Sequence, residues 1–207
     1  DHRDLHSFPT RRSSDLAGKL YSGKPLPLFT IRTEAEAKSH PFVVILEPYA
    51  GENENSVERI SVEKRNDSDV FTALSVFCKN GLKQQIFQSV DSTQKFNSEG
   101  VIFSGYYGVV GFEENLLSSL YLGKGSEISV SGYGLKSKTP DGSANLSVSG
   151  KKLILTCNQE TELNLPFPAK KVWLKQGNTQ KEIPVLNSAK GILITVPGVE
   201  NAEIVLQ

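Results

Sequence analysis

From residue 40 onward, apolar and polar positions alternate in short bursts with a period near two, and Gly, Pro, Asn or Asp breaks each burst. That period places alternate side chains on opposite faces of an extended chain, so the pattern predicts strands rather than helices. Phe42-Val43-Val44-Ile45-Leu46, bounded by Pro41 and Pro48, reads as a strand buried on both faces. Val57 to Val62 is a more polar strand, and a turn over Asn66-Asp67-Ser68-Asp69 leads to another at Val70 to Cys78. Asn80-Gly81 is a strong hairpin signal, implying a type I′ turn into Gln84 to Val90. Further strands are expected at Val101 to Phe103 and Tyr106 to Phe112, separated by Ser104-Gly105, with a turn at Glu113-Glu114-Asn115. Leu116 to Leu122 could make one helical turn, because Leu116, Leu117 and Leu120 are spaced for it. Its shortness and its neighbours favour a strand. Glu127 to Ser131 alternates as a half-exposed strand does.

Lys136 to Ala144 is rich in Lys, Ser, Thr, Pro and Gly and reads as a linker or long loop. Beyond it, short strands are predicted at Leu146 to Val148, Lys152 to Thr156, Lys171 to Lys175, Glu182 to Val185, Ile192 to Val196 and Ala202 to Leu206. Regular spacing with turn residues between is the signature of a sandwich. The expected fold class is therefore all-β: an antiparallel β-sandwich over residues 17–142, followed by a smaller immunoglobulin-like β-sandwich over 143–207. One helical turn at Thr33 to Lys38 is the sole helix candidate.

Asp1 to Leu16 reads without a mismatch as one translated frame of a short-read sequencing adapter. This segment is expected to be non-native and without ordered packing, the natural chain extending upstream of Ala17. Setting it aside changes the chemistry more than the charge. It carries Arg3, Arg11 and Arg12 against Asp1, Asp4 and Asp15, so the 23 residues of each sign become 20 of each. A neutral chain offers neither the basic patch a nucleic acid needs nor a polybasic membrane surface, and no apolar run approaches the ~20 residues of a membrane span. His2 and His6 go with the segment, leaving His40, which nothing nearby in sequence orients as a base.

Other chemistry is thin. Glu47, Glu52, Glu54 and Glu58 surround a Gly/Asn-rich loop but lack any fixed calcium-ligand spacing, and a solvated acidic loop is the better reading. Gly123-Lys124-Gly125 lacks the spacing and the following helix of a phosphate loop. No catalytic residue, metal site or cofactor is assigned. Cys78 and Cys157 read as separate buried residues, with a disulfide as the alternative. The sparse aromatics carry two readings. Packing in the core or between sheets is the better one for most of the rings; Tyr49, Tyr107, Tyr121 and Trp173 are the candidates for carbohydrate contact, since apolar sugar faces pack on exposed rings. Only one of Tyr106 and Tyr107 can face a given side of the sheet.

Three stretches together resemble the C-terminal β region of heparinase II/III-like polysaccharide lyases: His40 to Tyr49, the Val70 to Val90 block, and Gly105-Tyr106-Tyr107-Gly108-Val109-Val110 followed by Ser119 to Gly125. The resemblance spans residues 28 to 135. It implies a parent whose helical toroid, lying upstream, cleaves a uronic-acid-containing polysaccharide by β-elimination, using Tyr, His and Asn residues that no position here matches. The expected partner is an acidic polysaccharide, engaged through that missing catalytic domain, with no nucleic acid or membrane partner. The expected location is bacterial and periplasmic or extracellular. The other reading of the chain is a carbohydrate-binding or structural β module of a secreted or cell-surface protein.

Overall fold

The computed structural model describes residues 56–65 and 70–207, with the backbone alone for Lys64 and Arg65. These residues belong to one of the chain's two compact units, Val44–Gln207; the other is Asp1–Val43. The adapter-like segment, the helical turn at Thr33 to Lys38, the strand at Phe42 to Leu46, His40, Tyr49, the acidic loop apart from Glu58, and the Asn66 to Asp69 turn lie outside the described residues.

Fifteen strands follow one another: β1 (Val57–Arg65), β2 (Phe71–Cys78), β3 (Leu82–Ser89), β4 (Phe96–Ser98), β5 (Val101–Glu113), β6 (Leu116–Val130), β7 (Tyr133–Ser137), β8 (Gly142–Ser149), β9 (Lys152–Cys157), β10 (Thr161–Leu165), β11 (Val172–Gln176), β12 (Thr179–Ile183), β13 (Val185–Ser188), β14 (Gly191–Val196) and β15 (Val199–Leu206). Their pairings are antiparallel. The all-β expectation holds. Leu116 to Leu122 is strand, as favoured, and runs on without a break to Val130.

The sheet forks on β6. Its whole length pairs with β5, but Ser119 to Gly125 pairs on the other side with β8, and Glu127 to Val130 pairs with β7. One leaf therefore runs β1-β2-β3-β5-β6-β8-β9-β15-β11-β12, and a second continues from β6 through β7, β10, β14 and β13. Their inward residues join one core. Leu146, Leu155, Ala202, Ile204 and Leu174 come from the first leaf, and Ile128, Leu135, Leu163, Ile194 and Val196 from the second. Each fully buried Leu, Ile or Val contributes roughly 1.5–3 kcal/mol of transfer free energy, so this interlayer core dominates the stability of the sandwich.

Glycines make the fork possible. β5 and β6 approach so closely at the bulge between Ser104 and Gly105 that a Cβ on Gly125 would lie 2.5 Å from the Ser104 carbonyl oxygen and 2.7 Å from the Gly105 Cα. Only a residue without a side chain fits there. Beside this approach, at the start of β5, the core is aromatic. Phe71 stacks on Phe96 at 4.1 Å between centroids, and Phe87 and Phe103 lie 5.7 Å apart. The turn before β4 sets Phe96 in place. The Asp91 carboxylate accepts bonds from the Thr93 amide (2.9 Å), the Thr93 hydroxyl (2.6 Å) and the Gln94 side-chain amide (3.0 Å). Those bonds, led by the Thr93 hydroxyl, hold its pKa below the ordinary aspartate value.

Two local expectations are corrected. The β2–β3 hairpin exists, but Asn80 does not take positive φ. Gly81 does (φ 80°), after a turn closed by its N–H on the Cys78 carbonyl (3.0 Å), so the connection is a three-residue loop with a glycine bulge, not a type I′ turn. Both central residues of a two-residue loop take positive φ instead at Glu114 (51°) and Asn115 (67°). The stretch Lys136 to Ala144, read as a linker, is mostly strand: Lys136 and Ser137 end β7 and Gly142 begins β8, leaving residues 138–141 as the connection. The expected division near residue 143 thus falls within β8, which pairs with β6 on one side and β9 on the other.

Cys78 and Cys157 are free thiols, the first half-buried and the second buried with its Sγ donating to the Pro197 carbonyl (3.3 Å). They stand on β2 and β9, five strand steps apart in the sheet, or roughly 24 Å, far beyond disulfide reach.

Three outcomes are expected. Gly125→Ala forces β5 and β6 apart and costs about 2 kcal/mol or more, read by calorimetry as a melting temperature at least ~4 °C lower. Alkylation of the chain, unfolded without reductant after air exposure, yields adducts at both cysteines. Ser75 is fully buried and its hydroxyl has no hydrogen-bond partner among the described residues. Ser75→Ala therefore raises stability by ~1 kcal/mol rather than lowering it, measured by urea titration.

Candidate carbohydrate-contact site

The antiparallel register draws rows of side chains straight across the first leaf, and residues in one row share a face. The inward row Ala73, Phe87, Gly108, Leu122 and Ala144 is buried. The rows on either side of it face out. One carries Thr72, Gln88, Tyr107 and Gly123, and the next carries Leu74, Ile86, Val109, Tyr121, Asn145 and Thr156. Tyr107 and Tyr121 are thereby brought side by side on the outer face, 42 % and 37 % exposed, with ring centroids 6.0 Å apart and planes at 65°. Tyr106 points to the other side of β5 by the same alternation.

Gly123 shapes this pair. A Cβ on it would lie 3.0 Å from the Tyr121 ring and 3.2 Å from its hydroxyl, so the ring leans along β6 over the bare glycine. The Gly123-Lys124-Gly125 segment therefore holds no phosphate cradle. Gly125 permits the approach of β5, and Gly123 seats an aromatic ring.

From Tyr121 an open groove of about 530 Å³ runs across β8 and β9 to the start of β15. Its polar lining is made of amides, two hydroxyls and one carboxylate: Ser143, Asn145, Thr156, Asn158, Gln176 and Glu200. Most of these are fixed by the backbone. The Asn158 Oδ1 accepts the Ser143 N–H (2.9 Å), the Thr156 hydroxyl accepts the Asn201 N–H (3.0 Å), and the Gln176 Nε2 donates to the Glu200 carbonyl (2.9 Å). Asn145, half-buried in the same row as Tyr121, has no side-chain hydrogen bond among the described residues. A rigid polar rim beside a pair of rings can take hydroxyl groups while the rings take an apolar face.

The four residues expected to touch sugar do not gather at one place. Tyr107 and Tyr121 do; Tyr49 lies outside the described residues; Trp173 sits half-buried on β11, four strand steps from Tyr121, or roughly 19 Å along the sheet. Register puts Trp173 on the same outer face, opposite Val205 and Glu182, and its Nε1 is buried with no hydrogen-bond partner among the described residues. Asn145, Thr156 and Asn158 were not singled out in the sequence, because only strand pairing aligns them with a tyrosine.

The described residues contain no histidine, since His2, His6 and His40 all precede them. Among them no group of His, Cys, Asp and Glu is arranged to hold a metal ion. Burial pushes the pKa of Tyr133 up, away from what a phenolate base requires.

Residues 59–148 match the family described as the endo-acting ulvan lyase C-terminal domain. Over 137 residues, 63% of the chain, the sequence is 30% identical to an endo-acting ulvan lyase of Formosa agariphila, and this stretch amounts to 16% of that protein's length. The chain thus spans less than a fifth of the relative it matches, and the strands that carry Tyr107, Tyr121 and Asn145 are similar to the C-terminal domain of a polysaccharide lyase.

Proposed function

We propose that this chain is the non-catalytic C-terminal β-sandwich part of a bacterial polysaccharide lyase that cleaves a uronic-acid-containing glycan by β-elimination. The observation that carries this is the family match over residues 59–148, from β1 through nearly all of β8. β-Elimination needs a group that neutralises the uronate carboxyl, a base for the proton α to it, and an acid for the leaving oxygen. The described sheet supplies side chains suited to rigid packing and sugar contact, without a converging acid–base pair. The chemistry is accordingly assigned to an upstream toroid of the heparinase II/III-like type, on the resemblance already described. The name of the Formosa agariphila relative makes ulvan the first substrate to test. Work on a polymeric substrate also favours a periplasmic or extracellular location.

Two measurements check this. The 207-residue chain incubated with ulvan, heparan or alginate is expected to produce no unsaturated-uronate absorbance; robust turnover would place the active site within this sheet and overturn the reading. Sequencing the coding region upstream of Ala17 is expected to reveal a long helical-repeat region bearing Tyr and His residues. A second sandwich, or a signal peptide directly before Ala17, would remove the lyase assignment.

A further inference from the structure

We infer that Tyr107 and Tyr121, with Asn145 and the groove beyond it, form a non-catalytic subsite that holds one to two sugar rings of the parent enzyme's polysaccharide substrate. This rests on the lyase reading for the identity of the glycan, but the geometry argues for sugar independently.

A pyranose presents an apolar C–H face and a rim of hydroxyls. It therefore requires an exposed ring with directional donors and acceptors a few ångströms to the side. The outer face offers that combination in one row. Tyr121 is followed by Asn145 on the next strand and Thr156 on the one after, a span of about 10 Å at the usual strand spacing, comparable to a disaccharide. Both rings are held: Tyr121 lies over Gly123, and the Tyr107 ring sits 6.0 Å from it at 65°, an edge-to-face contact. The Asn145 amide is already beside them and spends no hydrogen bond within the described residues, leaving two donors and an acceptor to meet ring hydroxyls. A rigid aromatic surface with one open amide loses little freedom when a ligand arrives, which favours binding by an otherwise weak, shallow site.

The rest of the surface explains the choice of occupant. Among its groove-lining residues the one carboxylate, Glu200, stands at the far end from the tyrosines, and no lysine or arginine lines the groove. An apolar peptide would leave Asn145, Asn158 and Thr156 desolvated there. A glycan laid hydroxyl-side toward the amides satisfies both the rings and the rim.

The test uses the 207-residue chain in native affinity electrophoresis through gels containing ulvan, with dissociation constants from calorimetry on ulvan oligosaccharides. The wild-type chain should be retarded. Tyr107→Ala and Tyr121→Ala should each weaken binding about tenfold or more, the loss expected on removing a buried aromatic face. Tyr107→Phe and Tyr121→Phe should retain most of it, because the ring is what stacks. Gly123→Val should weaken binding as well by displacing the Tyr121 ring, whereas Tyr106→Ala, which removes an equally exposed tyrosine from the opposite face, should leave it unchanged. Melting temperatures measured alongside identify any variant that loses its fold, and the Phe pair and Tyr106→Ala still decide the matter in that event. Absence of retardation, or retardation indifferent to Tyr107 and Tyr121, overturns the subsite. If it does so while the longer parent protein depolymerises ulvan, the lyase reading stands without the subsite. Tyrosine-dependent binding to neutral xylan with none to ulvan keeps the sugar site and sinks the uronate assignment.

Discussion

The close approach of β5 and β6 at Gly105 and Gly125 is the constraint on which the remaining structure turns. Two backbones brought within the van der Waals distance of a missing methyl group cannot stay flat beside each other, and a bulge relieves the crowding by increasing the local twist. The second half of β6 is thereby released from the direction of the first. It finds β7 while the first half keeps β8, and the two leaves separate with their apolar faces toward one another. Without that fork the chain has one long sheet with an unsatisfied apolar side; with it, Leu146 and Leu155 from one leaf and Leu135 and Leu163 from the other bury one another.

The sequence made the class of structure plain and its organisation much less so. Period-two alternation, as in Leu153-Ile154-Leu155-Thr156-Cys157, is a local property, and it located strands correctly because the two faces of a leaf differ so sharply in burial. The predicted strand Glu182 to Val185 straddles two, β12 ending at Ile183 and β13 beginning at Val185, and three more strands are absent from the predicted set. Tyr133–Ser137 begins beside Gly132 and contains Gly134, which reads as a turn; Phe96–Ser98 is only 3 residues long; Thr161–Leu165 alternates well but is brief. The polar stretch Lys136 to Ala144 misled for a related reason. Its composition is that of a loop, yet its ends are held by pairing with β10 on one side and β6 on the other, and tertiary pairing overrides local preference. Hairpin chemistry was half right in the same way: Asn80-Gly81 marks the reversal, but loop length, fixed by the pairing of Phe77 with Lys83, decides which backbone conformation each residue takes.

For the candidate site, ring identity could be read from the chain and ring company could not. Tyr107 and Tyr121 are 14 positions apart, and nothing local to either announces the other; the register of β5 on β6 brings them together. Asn145 and Thr156 join only through two further pairings. Trp173 shows the reverse case. It has the residue type and the correct face, yet lies too many strands away to share a ligand with the tyrosines. The Gly123-Lys124-Gly125 segment was the one local signal available, because a glycine two residues after an outward tyrosine leaves room for its ring, but its meaning depends on knowing which face is outward.

Register therefore controls both core and surface, and with opposite sign. A slip of one residue along β6 would turn Leu120 and Leu122, now fully buried, into solvent and drive Tyr121 into the core, inverting every row at once. The bulges that interrupt β5–β6 pairing at Ser104/Gly105 and β6–β8 pairing at Leu122/Gly125 make such a slip expensive, since each would have to be re-formed one position along, where β6 presents Lys124 or Ser126 in place of the glycine that the close approach demands. The same glycine that forks the sheet thus keeps the tyrosine pair facing outward. A surface able to hold a sugar is in this sense a by-product of how the core is closed, and it can be lost through Gly125 without any change to the residues that form it.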